Sequence, residues 1–121
     1  QTFRRVTDTG LAIHPGERFL IPTGLVFDIP KGYCMEIYPR SGISFKSGLN
    51  LSNCTAIIDS DYVEQTFISI NNMGNDHLYI KSGDRIAQAK LVKLVPTEII
   101  EIESKPEQKT SRDGGFGSTG K

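Results

Sequence analysis

Asp59 closes a short apolar run, Ala56-Ile57-Ile58, and opens a polar turn, Ser60-Asp61-Tyr62. A carboxylate held at the end of a rigid apolar stretch can take a proton from water and aim that water in line with a leaving group, the requirement for cleaving a phosphoanhydride. Three more polar islands accompany it: Pro39-Arg40-Ser41-Gly42, Gly83-Asp84-Arg85-Ile86-Ala87-Gln88 and Gly114-Gly115-Phe116-Gly117-Ser118-Thr119-Gly120. Each joins backbone-exposing glycines or small hydroxyls to charge. Oriented N–H groups, arginine forks and hydroxyls hold an anion, and a flat side chain gives a base something to stack on. Together the islands describe a nucleotide site. Taken singly, each also has a plainer reading: Asp59 or Asp61 capping a tight turn, Tyr62 half-buried on a strand, Arg40 in an interface ion pair, Asp84 and Arg85 flanking a turn, the glycine string as a frayed end.

In order and wording the islands resemble the second to fifth of the five motifs of the trimeric deoxyuridine triphosphatase (dUTP pyrophosphatase) family, from about Leu20 to the last residue. The resemblance implies an all-β homotrimer that hydrolyses dUTP to dUMP and pyrophosphate, lowering dUTP and supplying dUMP for thymidylate synthesis. It implies Asp59 as the catalytic general base. Tyr62 would pack against the deoxyribose and leave no room for a 2′-hydroxyl, Asn53 would help to present hydrogen bonds to the uracil edge, and Ile58 would share the substrate pocket. A hairpin of fixed polarity rejects cytosine by leaving buried groups unpaired. Arg40, Ser41 and Gly42 are implied at the phosphates and subunit contacts, and Gln88 at a phosphate. Phe116 would stack on the uracil, with Gly117, Ser118 and Thr119 on the outer phosphates and Arg112 adding a charge-assisted fork. The implied cofactor is Mg²⁺, carried by phosphate oxygens and water, with no direct protein ligand assigned. Each site would draw on three subunits, the arm of one closing over a pocket made by the other two.

The chain departs from the family pattern in three places. The first motif, an Ala-Gly-x-Asp segment whose aspartate supports the metal's water shell, would centre on Thr2, and Asp8 stands some six residues late. Val63-Glu64 replaces an arginine or glutamine followed by glycine. Arg112 stands four residues before Phe116 where the family has five, with Ser111 in the expected place. Two rival readings follow. A deoxycytidine triphosphate deaminase would need a catalytic glutamate where this chain has Ser69. A catalytically weak or silent nucleotide-binding regulatory module fits the altered first motif but not the retained Asp59 and glycine-rich string.

The elements that must position these residues read as strands. A chain of 121 residues fits one domain with its own core. Short runs of isoleucine, valine, phenylalanine and tyrosine cut by Gly, Pro, Asn or Asp predict an all-β, distorted jelly-roll or β-barrel body over 1–103. Strands are expected at Arg18–Ile21, Leu25–Ile29, Tyr33–Tyr38, Gln65–Asn71, His77–Ile80, Arg85–Leu94 and Glu98–Glu103, and no amphipathic helix is expected. Residues 104–121 are polar and glycine-rich apart from Phe116, the composition of a flexible C-terminal arm. Fourteen Lys and Arg balance fourteen Asp and Glu, which argues against a nucleic-acid partner, since that needs a basic surface. Cys34 and Cys54 sit in apolar stretches without metal-ligand spacing and read as core thiols. No apolar run is long enough for a membrane helix. The expected location is the cytoplasm, with the nucleus or a virus-infected host cell as alternatives. The first residue, Gln1, points to a processed or cloned N-terminus, or to preceding residues.

Overall fold

The computed structural model describes residues 3–115. Its strands are β1 (Leu11–Ile13), β2 (Arg18–Pro22), β3 (Tyr33–Pro39), β4 (Leu49–Leu51), β5 (Ala56–Asp59), β6 (Phe67–Asn72), β7 (Leu78–Ile80) and β8 (Ala87–Lys93), with one helix, α1 (Ser41–Ser47). They form three antiparallel sheets, β1-β7, β2-β6-β4 and β5-β3-β8. All three feed one core: Ile13, Phe19, Ile21, Ile37, Leu49, Leu51, Ile68, Ile70 and Ile80. The all-β expectation holds, and the small sheets wrapped on a shared core suit a jelly roll.

Parity explains β6. Ile68 and Ile70 are buried while Phe67 and Ser69 are only half-buried, as two-residue alternation demands. Direct pairing of Phe19 with Ile70 and of Ile21 with Ile68 then stacks apolar side chains on one face. At the end of β6, Asn72 is 1% exposed and fully satisfied. Its Nδ2 donates to Ile13 O (2.9 Å) and Asp76 O (2.8 Å), and its Oδ1 accepts from the Gly74 N–H (2.9 Å). A buried amide used in this way ties the β6–β7 turn to β1.

Helix α1 was not legible because it buries none of its residues. Only Ile43 packs on the core, half-buried, and the rest of its hold is at the C-terminal end. Gly48 closes it at φ 78° and its carbonyl accepts from Met73 N at 2.8 Å. A Cβ on Gly48 would lie 2.4 Å from Gly74 N, and one on Gly74 would lie 2.6 Å from Ser47 O. Two backbones therefore touch where any side chain would intervene, and Ser44 Oγ adds a 2.6 Å hydrogen bond with Asn50 Oδ1.

Several expectations need correction. Leu25–Ile29 forms no strand; Leu25 O accepts from Thr66 N (2.8 Å), but no ladder continues from there. Glu98–Glu103 is likewise no strand, because an alternating pattern makes one only beside a partner. Nothing in the described residues pairs with it, and Ile99 is 94% exposed. β6 starts at Phe67 rather than Gln65, whose side chain turns to Gly24. The three-residue strands β1 and β4 were not expected. Cys34 is buried as expected, but Cys54 is exposed, at φ 63°. Among the described residues no helix is long and apolar enough to cross a membrane.

Gly48→Ala should destabilise the protein by roughly 2 kcal/mol more than Gly32→Ala. Both glycines have positive φ, but only Gly48 meets a backbone. Paired urea denaturation curves measure that difference, and equal losses would mean that the Gly48–Gly74 contact carries no weight.

Candidate active site

Asp59 is the last residue of β5, directly opposite Cys34 of β3. Ala56 and Ile58 pack against the core, so strand alternation turns Ile57 and Asp59 outward, where both are exposed. The chain then reverses in a turn closed by the Tyr62 N–H donating to Asp59 O at 3.1 Å. Tyr62 is fixed at its other end as well, its hydroxyl donating to Gln65 O at 2.6 Å. Asn53 is exposed on the turn from β4 to β5, where Cys54 N donates to Leu51 O (3.1 Å) and Thr55 N to Asn53 O (2.7 Å). The side chain of Ile58 faces the core. Ile57 is the outward residue the sequence reading passed over, and counting parity from Asp59 would have found it.

The residues expected at the phosphates gather elsewhere. Arg40 is the N-cap of α1, with Ser41 and Gly42 exposed in the first turn. Its Nη1 donates to Arg85 O at 2.9 Å, while Gln88 Nε2 donates to Pro39 O at 2.8 Å. These two bonds cross between the end of β3 and the start of β8 and lock the two segments together. The connecting turn holds itself: Asp84 Oδ2 accepts from Lys81 N (2.8 Å) and Asp84 N donates to Lys81 O (3.0 Å). Asp84 thus does turn duty. A cavity of about 580 Å³ opens here, lined by Arg40, Asp84, Arg85 and Gln88 together with Ile21, Ile37, Ile68 and Ile80.

The two groups cannot meet within one chain. Asp59 pairs with Cys34, and Gln88 with Tyr38, four residues further along the same strand. They also lie on opposite sides of it. At standard strand spacings that is about 14 Å along the sheet and about 10 Å across it. A water-activating carboxylate and the donors that steady a phosphate must act within a few ångströms of one another. Within one chain, then, Asp59 and the Arg40–Gln88 cluster are well separated. Arg112 is exposed, and its carbonyl accepts from Gln108 Nε2. Phe116, Gly117, Ser118, Thr119 and Thr2 lie outside the described residues. Among the described residues no group of three His, Cys, Asp or Glu side chains is placed to hold a metal.

Residues 6–120 match the profile of the dUTPase family. The chain belongs to that family. It is 44% identical to deoxyuridine 5'-triphosphate nucleotidohydrolase of Finegoldia magna over 97% of this chain and 81% of that protein. It is 47% identical to the Nautilia profundicola protein of the same name, over 90% of this chain and 76% of that one. Among solved structures it resembles Staphylococcus bacteriophage 80alpha dUTPase with dUPNHPP, at a TM-score of 0.79 and 25% identity, covering 95% of this chain and 83% of that one.

Between Asp59 and the Arg40–Gln88 cluster, this dUTPase presents the outer face of β3. Direct pairing puts Glu36 beside Ile57 and Lys90, and Tyr38 beside Gln88. The Tyr38 hydroxyl donates to Glu36 Oε1. That bond, then desolvation, then the charges of Glu36 and Cys34 push the Tyr38 phenol above its ordinary range. A raised folded-state value means that this contribution to stability is intact below about pH 10 and is lost as pH climbs through the folded value. In an ultraviolet phenolate titration Tyr38 should ionise late, and Glu36→Gln should bring its midpoint back down; an unmoved midpoint would show that Glu36 is not the cause.

Proposed function

We propose that the chain hydrolyses dUTP between the α and β phosphates, releasing dUMP and pyrophosphate, at sites assembled from several copies of itself. The observation that carries this is the separation just described, in which an outward carboxylate on a strand-held backbone and a set of anion donors at the far end of the same sheet lie too far apart to serve one substrate. Copies of the chain that set the Asp59 edge of one against the Arg40–Gln88 corner of another complete the site. The unpartnered apolar residues Leu94, Val95, Ile99, Ile100 and Ile102 support such an assembly, since a lone chain leaves them in water. We take the assembly to be the homotrimer of the family, with residues 104–121 as the arm that closes each site.

In this reading Asp59 accepts the proton of the attacking water, its backbone held by β3 and by the Tyr62 turn. Its backbone therefore needs no rearrangement at the moment of attack. Asn53 and the backbone of Ile58 meet the base, and the ring of Tyr62 stands against the sugar. Arg40, Ser41, Gly42 and Gln88 bind phosphate oxygens from the second chain, and Arg112, Phe116, Gly117, Ser118 and Thr119 come from the arm. The Arg40–Arg85 bond uses one of the guanidinium donors and leaves the others for phosphate. A triphosphate brings its own hard oxygens for Mg²⁺, so the cation can arrive on the substrate without an all-protein cage. When bound, that cation would neutralise developing phosphate charge. We place the enzyme in the cytoplasm.

Pyrophosphate release from each deoxynucleoside triphosphate, with and without Mg²⁺, should single out dUTP. Asp59→Asn should lower kcat about a thousandfold while dUTP still binds, and undiminished turnover would remove Asp59 from its role. Neither Asp59→Asn nor Gln88→Ala chains alone should work well. Refolded together in equal amounts they should regain about a quarter of wild-type activity, because random mixing completes that share of sites. No recovery would mean that each chain carries its whole site.

A further inference from the structure

The residue that follows the Tyr62 turn does something the proposed chemistry has not used. Gln65 receives the Tyr62 hydroxyl on its backbone carbonyl at 2.6 Å, and its own side-chain Oε1 accepts from the Gly24 N–H at 2.7 Å. The next residue continues the seam. Thr66 O accepts from Thr23 Oγ1 (2.7 Å) and Thr23 N (3.1 Å), and Thr66 N donates to Leu25 O (2.8 Å). Thr23–Leu25 follows directly on β2, whose Phe19 and Ile21 are core residues. The tip of the Tyr62 side chain is thereby referred to the core through Gln65 and not only to its own turn.

We propose that Gln65 is a positioning residue for sugar selection: it braces the ring of Tyr62 so that the ring cannot retreat from a 2′-hydroxyl. This rests on the reading that Tyr62 borders the deoxyribose. A steric gate discriminates only if it is stiff, because a ring free to swing by an ångström admits the larger sugar at small cost. Val63 and Glu64, both exposed, span the interval from Tyr62 to Gln65 and bring no packing that would steady it. The closure of that short segment lies in two hydrogen bonds, one at each end of Gln65. The hydroxyl of Tyr62 is spent on this bond and is not a donor to substrate; the ring face is what the sugar meets.

The test is the ratio of kcat/KM for dUTP to kcat/KM for UTP in the full chain. Gln65→Leu removes the acceptor for Gly24, and Tyr62→Phe removes the hydroxyl while keeping the ring. Each should lower the ratio about five-fold, the worth of one ordinary hydrogen bond. Gln65→Glu keeps an acceptor oxygen and should hold the wild-type ratio even where its added charge slows both substrates. Tyr62→Ala should lower the ratio much further. If Tyr62→Ala leaves the ratio unchanged, Tyr62 is not the sugar gate and the proposal falls with that reading. If Tyr62→Ala collapses the ratio but Gln65→Leu or Tyr62→Phe leaves it at the wild-type value, or slows both substrates equally, the gate stands and the bracing role of Gln65 is overturned. Should Gln65→Leu fail to fold, Tyr62→Phe decides alone.

Discussion

The ladder that β3 makes with β5 and β8 is the constraint from which the rest of the molecule's chemistry follows. An antiparallel register admits no partial slip, since moving by one residue would turn every side chain to the other face. Met35, Ile37, Ala56 and Ile58 are committed to the core, so Asp59 and Gln88 are committed to the outside. Burial thus fixes the orientation of groups that are not themselves buried. The same ladder fixes their separation, on which the proposed sharing of a site between chains rests.

Around that ladder, short polar links convert core rigidity into placement of exposed groups. Arg40 and Gln88 spend donors on main-chain carbonyls and lock β3 to β8. Asn72 spends all of its amide on the turn after β6. Gln65 carries the stiffness of β2 to an aromatic ring that is only partly buried. Each of these bonds contributes on the order of 1 kcal/mol to stability, and their value lies in removing motion where a few tenths of an ångström count.

The candidate site residues were easier to pick out in the sequence than the elements that support them. Arg40, Ser41, Asp59, Tyr62 and Gln88 stand out because the proposed chemistry restricts residue type: a base must be titratable, and an anion site must donate. β3 and β8 read clearly from their apolar runs, as did the parity of Ile68 and Ile70. Helix α1 did not, because a seven-residue helix with no buried face has no periodicity to show. Leu25–Ile29 and Glu98–Glu103 have strand composition without strand partners, and pairing is a property of neighbours that a linear pattern does not contain. Gln65 gave no signal at all: a glutamine between two loops becomes a brace only when Gly24 arrives opposite it.

The turn between β4 and β5 leaves a mark of practical use. Its Cys54 projects into solvent, while Cys34, the other of the chain's two cysteines, is 3% exposed and shielded from reagents. The molecule therefore carries a natural attachment point for a fluorophore or a nitroxide next to Asn53, on the hairpin to which we assign the nucleobase. Arrival and departure of nucleotide become readable as a spectroscopic change at one labelled thiol, with no cysteine added or removed.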